Sequence, residues 1–304
     1  MHLNLLITVL LSPLLLLAQD EVSTFRMMGD VRITIDRETG KNKNNILVIY
    51  ALPNGNSTEQ TMGKKLQTGD DWHFDIQHIK AQTDFIRDRS KQNITVAYLE
   101  NDFKSWPLWK QKHADNNQLI KKIIDTLQTI CDAGMVYLNG HSGGGSFIFG
   151  YLQGIQKIPS FIRRISFLDS NYGYDSTYYA KIRSWLKKNP TARLNVFAYN
   201  DSIALYNGKP VVSAQGGTWY RSNLMLQHFR KDFKLVNIKN DSLVCFEDKK
   251  KRIGFYFKTN PERKILHTRQ VELNGFIHSI LFGTKWENDG YTYFGQRAYT
   301  HYIP

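Results

Sequence analysis

The residues best placed to do chemistry lie in one short stretch, NGHSGGG, from Asn139 to Gly145. Within it, Gly140-His141-Ser142-Gly143-Gly144 satisfies the spacing G-x-S-x-G. The apolar run Met135 to Leu138 precedes it and the helix-compatible SFIFGYLQGI follows. A chain turning sharply from a buried strand into a helix needs glycines that tolerate the backbone angles of the turn. Such a turn lifts Ser142 Oγ above the sheet and lets the Gly143 amide face a developing oxyanion. The competing reading is a glycine-rich loop without chemistry; the strand before and the helix after favour the nucleophile. A serine hydroxyl is a poor nucleophile until a base takes its proton, so a histidine and an orienting carboxylate must be sought elsewhere.

With strand, elbow and helix in this order, the chain resembles the α/β-hydrolase superfamily. The resemblance covers most of the chain beyond residue 18, and its specific part is NGHSGGG on the fifth strand of that family's order. It implies a serine, then an acid, then a histidine along the chain. Asp169 in ISFLDS and Asp201 in NVFAYNDS both end strand-like runs after Ser142. Asp201 follows the seventh strand, the family's commoner location, and is preferred. Asp169, after the sixth, is the alternative, and Asp175 is a weaker third. The histidine belongs in a loop after the last long strand. With HTRQVEL (267–273) read as that strand, the expected base is His278; His267 falls at or before the strand and His301 near the end. The second oxyanion amide is implied in the loop after the third strand, ALPNGNSTEQ, which lacks the His-Gly-Gly-Gly run of many lipases. Asn54, Gly55 and Asn56 are the candidates to join Gly143, with position favouring Asn56 over Gly55. His141 is expected to shape the elbow.

The elements that must position these groups alternate in type. FRMMGDVRITIDRETGKN reads as an antiparallel hairpin. NILVIYAL, ITVAYLE, MVYLNG, RRISFLDS and RLNVFAYND read as buried strands, as does FKLVNI. Trp72, Ile76, Ile79, Thr83 and Ile86 fall on one helix face, and Leu119 to Ile130 carries another. YYAKIRSWLKKN and TWYRSNLMLQHFRK are helical; the segment from Asn240 to Asn260 is left as a hairpin or an excursion. The expected fold is α/β: the α/β-hydrolase fold, with a mostly parallel central sheet, an antiparallel N-terminal hairpin and helices on both faces.

MHLNLLITVLLSPLLLLA reads as a signal peptide over residues 1–18, leaving 19–304 as one α/β-hydrolase domain. The expected location is secreted or periplasmic, without stable membrane insertion once the leader is removed. Two cysteines, Cys131 and Cys245, can pair or stay free. The net charge of +13 fits a basic surface or attraction to an anionic polymer; no nucleic-acid motif occurs. No cofactor and no metal are expected, and Asp71, Asp75 and His78 make a poor metal set. Trp106 and Trp109 in KSWPLWK are expected in a loop beyond the fourth strand that borders the site, stacking on sugar or filling the core, and Tyr172 lies in a tyrosine-rich rim. Four N-x-S/T sequons occur, at Asn56, Asn93, Asn200 and Asn240. A glycan at Asn56 or Asn200 would obstruct the site, which favours a bacterial exported protein.

These features point to an exported serine esterase using an acyl-enzyme, acting on a small-molecule or polysaccharide ester, with an acidic glycan favoured by the charge. A serine peptidase, amidase or lipase of the same fold is the alternative within enzymes. A non-catalytic binding protein retaining the fold is the alternative outside them.

Overall fold

Alternating residues form the antiparallel hairpin of β1 (Glu21–Met27) and β2 (Val31–Arg37), paired from Glu21↔Arg37 to Met27↔Val31. The computed structural model describes residues 21–38, 45–213, 215–239 and 242–304; the leader expected over 1–18 and the sequon at Asn240 lie outside the described residues. The apolar runs form β3 (Ile46–Ala51), β4 (Ile94–Asn101), β5 (Met135–His141), β6 (Ile162–Leu168) and β7 (Arg193–Tyr199). A two-residue pair, β8 (Leu205–Tyr206) and β9 (Lys209–Pro210), stands apart. β10 (Leu235–Lys239), β11 (Leu243–Asp248) and β12 (Ile253–Lys258) complete the large sheet. Its order is β1-β2-β4-β3-β5-β6-β7-β12-β11-β10. The six strands from β4 to β12 in that order are mutually parallel, with antiparallel strands at both ends. This is the α/β-hydrolase architecture.

The helices are α1 (Thr58–Met62), α2 (Ile79–Ser90), α3 (Trp106–Lys112), α4 (Asn116–Ile130), α5 (Gly145–Gly154), α6 (Ser176–Lys188), α7 (Thr218–Phe229), α8 (Arg269–Glu272) and α9 (Gly275–Leu281). Strand side chains alternate between faces, so β3 feeds two apolar layers. Leu47 and Ile49 pack with Ile120, Phe147, Trp185 and Phe229 of the helices on one face. Val48 and Tyr50 pack with Ile79, Phe85, Phe276 and Ile280 on the other. Each such side chain contributes roughly 1.5–3 kcal/mol on burial. Cys131 and Cys245 lie buried in these separate layers as free thiols. Among the described residues, no helix is long and apolar enough to cross a membrane.

Three local expectations change. Residues 267–273 form no strand: α8 covers Arg269–Glu272, and the last parallel strand is β12, which ends at Lys258. The segment left open around Asn240 to Asn260 therefore supplies that strand and, through β11, its antiparallel neighbour. KSWPLWK is a helix start, with the Ser105 side chain accepting from Leu108 N. Helix α2 begins only at Ile79, behind a short 3-10 turn at Trp72–Asp75.

Candidate active site

The parallel strands deliver the functional side chains at their carboxyl ends, where open α/β sheets place ligands. Ser142 follows β5 directly, at φ +55. That left-handed angle is uncommon for a residue with a Cβ and persists only where the surroundings enforce it. The surroundings are close: a Cβ added at Gly144 would overlap the Ala51 carbonyl oxygen, and one at Gly143 would overlap Asn54 Oδ1. The elbow is thus wedged against the end of β3: at Gly144 the Ala51 backbone leaves room for glycine alone, and at Gly143 a side chain would have to displace Asn54.

Asp169 ends β6 with no exposed surface, and its Oδ2 lies 2.5 Å from His267 Nδ1. His267 sits in the loop after β12, its side chain 22% exposed. With Nδ1 on the carboxylate, Nε2 is the ring nitrogen left for other partners. The His267 ring and Ser142 line one cavity of about 150 Å³, with Asn54, Asn56, Trp72 and His141 around it. His141 Nε2 donates to the His267 carbonyl at 3.2 Å, and the two rings lie 4.5 Å apart. Burial, then the charge of His267, holds the His141 pKa well below the usual histidine range. His141 is therefore a neutral strut between the elbow and the histidine loop.

The structure corrects the histidine and the acid. His278 lies within α9, 3% exposed, with Nδ1 3.1 Å from Tyr291 Oη and its ring among Phe197, Tyr256 and Tyr293. Burial pushes its pKa down to about 3. It is a core residue, because the loop after the true last strand carries His267 instead. Asp201 does end β7, yet its carboxylate faces the start of α7: Oδ2 accepts from Thr218 N at 2.7 Å and Oδ1 from Trp219 N at 3.4 Å. Thr218 Oγ1 stands between the two acids, donating to Asp169 and 3.2 Å from Asp201 Oδ2. Desolvation first, then the charge of Asp169, raises the Asp201 pKa to about 6.

The oxyanion candidates divide. The Gly55 amide donates to the Lys104 carbonyl at 2.8 Å and is not free for an oxyanion. Asn56 is 7% exposed, and its Nδ2 finds no acceptor among the described residues while lining the cavity with Ser142 and His267. Asn54 is the neighbour that abuts Gly143. Trp106 and Trp109 are 1% and 0% exposed and pack with Phe147 in the core, so neither stacks on a ligand. Tyr172, 38% exposed, stands edge-on to His267 and lines a second cavity. That cavity, about 650 Å³, also opens on Ser142 and Gly143. Trp72, placed by its periodicity on a buried face, is instead 61% exposed at the rim, stacked on His73. Asp71 pairs with His73, and Asp75 with His78 and Arg297; no metal-binding group of three occurs among the described residues.

No family model matches the chain, and no curated protein does. Among solved structures, the chain is similar to an acetyl xylan esterase from Aspergillus awamori at 10% identity, with 79% of this chain and 93% of that one covered and a TM-score of 0.45. It is similar to poly(aspartic acid) hydrolase-1 from Sphingomonas sp. KT-1 at 10% identity, covering 69% and 85%, with a TM-score of 0.43. It is also similar to a cold-adapted esterase from an Arctic intertidal metagenomic library, at 10% identity, 80% and 87% coverage and a TM-score of 0.41. Likenesses this distant carry no argument about the reaction, which rests on the side chains above.

Proposed function

We propose that the protein is an exported serine hydrolase that cleaves a carboxylic ester through an acyl-enzyme on Ser142. The observation that carries this reading is His267, held by Asp169 through Nδ1, lining the same cavity as the strained Ser142. His267 Nε2 takes the Ser142 proton as Oγ attacks the ester carbonyl, and then gives it to the departing alcohol. Asp169 fixes the tautomer and stabilises the imidazolium. The oxyanion is met by the Gly143 amide, with Asn54 or Asn56 as the second donor; one such donor is worth about 3 kcal/mol. A water, activated by His267, then releases the acid and restores the serine.

Mass spectrometry after treatment with a fluorophosphonate tests the nucleophile. One added label is expected on the wild-type protein and none on Ser142→Ala. Folded wild-type protein that takes no label would replace this reading with a non-catalytic binding protein.

For the substrate, an ester borne by a carbohydrate is supported by Trp72, which is 61% exposed and lines the cavity with Ser142, since an exposed indole can stack on a sugar ring. The net charge of +13 extends this to an acidic glycan. Turnover of an esterified uronate polymer should then fall steeply from about 0.01 M to about 0.15 M salt, as the Debye length shrinks from about 30 Å to about 8 Å. Salt-independent turnover would remove the polyanion.

A further inference from the structure

The two cavities that share Ser142 differ in chemistry. One contains His267, the group that must protonate the leaving alcohol, so the alcohol half of the ester lies on that side. The acyl half is left with the cavity of about 650 Å³. On its wall stands Lys110, whose stem runs along Gly150 of α5; a Cβ added there would lie 3.5 Å from Lys110 Cδ. Among the described residues no carboxylate pairs with this ammonium. Its one protein partner is neutral: it donates to Gln153 Oε1 at 3.2 Å. Gln153 Nε2 in turn donates to Tyr178 Oη at 2.7 Å. That bond occupies the phenol as an acceptor and leaves its hydrogen to give. Gln153 thus orients two donors, one of them charged, toward a single cavity. Burial also lowers the Lys110 pKa by partly desolvating the ammonium. The other charged group lining the cavity, Asp175, is occupied at the start of α6, accepting from Thr177 N at 2.8 Å and from the Thr177 hydroxyl.

We propose that Lys110 and Tyr178, aligned by Gln153, form a subsite for a carboxylate carried on the acyl half of the ester. The substrate class is then a half-ester of a dicarboxylic acid, with one carboxylate left free. This rests on the serine hydrolase reading above.

Two alkyl fluorophosphonates of equal chain length, one ending in a carboxylate and one in a methyl group, test it by their rates of labelling Ser142. The wild-type protein should favour the carboxylate probe by about tenfold, in line with a hydrogen bond to a charged group. Lys110→Met should bring the ratio to about one or below, Lys110→Arg should retain most of the preference, and Tyr178→Phe should reduce it partly. A wild-type ratio of one or less, with the methyl probe reacting, overturns the subsite and leaves the hydrolase intact. Failure of both probes to label Ser142 removes the hydrolase reading and the subsite with it.

Discussion

His267→Ala is expected to lower kcat/KM on any hydrolysed ester by about 10⁴- to 10⁶-fold, the scale seen when a triad base is removed. Ser142 Oγ would then lose the imidazole that Asp169 orients. Asp169 cannot stand in, because it lies behind the imidazole and also accepts from the Thr218 hydroxyl. Substrate binding should persist, since the oxyanion donors and both cavities remain. His278→Ala makes the contrast. That ring is packed among Phe197, Tyr256 and Tyr293, so its loss leaves a hole under α9. The expected result is destabilisation by about 2–4 kcal/mol, the range of large-to-small core substitutions, with activity retained in the folded fraction. Thermal melts and kcat/KM on both variants separate the two outcomes. A folded His278→Ala protein without activity, beside an active His267→Ala protein, would reverse the assignment.

Both histidines were legible as candidates, and what divided them was the identity of one strand. HTRQVEL carries some alternation, but Gln270, Val271 and Glu272 are all buried in succession, which no one-sided strand permits. Their polar ends are met by Tyr293 and Arg297, from a segment farther along the chain. No local pattern reveals such partners. By contrast RIGFYFK is apolar and aromatic, with the look of a buried strand, and its neighbouring lysines obscured it. Once β12 is the last parallel strand, the rule of a histidine in the following loop selects His267. The elbow was readable because its requirements are local: a buried strand, small residues and a helix within a dozen positions. Asp169 against Asp201 was not, since both end strands and only the position of α7 decides which carboxylate is turned away. For Trp106 and Trp109 the sequence left stacking and core filling equally open, and they fill the core. Tryptophan spacing alone does not tell which face of a helix is covered; Phe147 lies against Trp106, and Trp106 and His113 lie against Trp109.

The two aspartates should separate under substitution as sharply as the histidines. Asp169→Asn places an amide where His267 Nδ1 needs an acceptor, which favours the wrong tautomer; a fall of about 10⁴-fold in kcat is expected, with little change in KM. Asp201→Asn keeps an oxygen for the Thr218 amide and loses the charge and the long contact with Trp219 N, so activity should stay within about tenfold. Its signature is in stability. The Asp201 pKa is about 6 in the folded protein, against 3.8 for the ordinary group. A carboxyl whose pKa is raised on folding binds its proton more tightly in the native state. Its penalty is therefore absent below about pH 4, grows between about pH 4 and 6, and is complete above that, reaching roughly 3 kcal/mol. The neutral amide of Asp201→Asn carries no such penalty. The variant should match the wild type in denaturant melts near pH 4 and exceed its stability at pH 7. Equal stability gaps at the two pH values would mean that Asp201 is not the strained acid. Loss of activity in Asp201→Asn, with Asp169→Asn spared, would return the orienting role to the seventh strand. The physical point behind both variants is one of shared surroundings. Two buried carboxylates stand around Thr218, and the charge of Asp169 disfavours charge on Asp201. Asp169 faces an imidazole that can become a cation as the reaction proceeds, whereas Asp201 is held by the amides at the start of α7, and among the described residues no cation pairs with it.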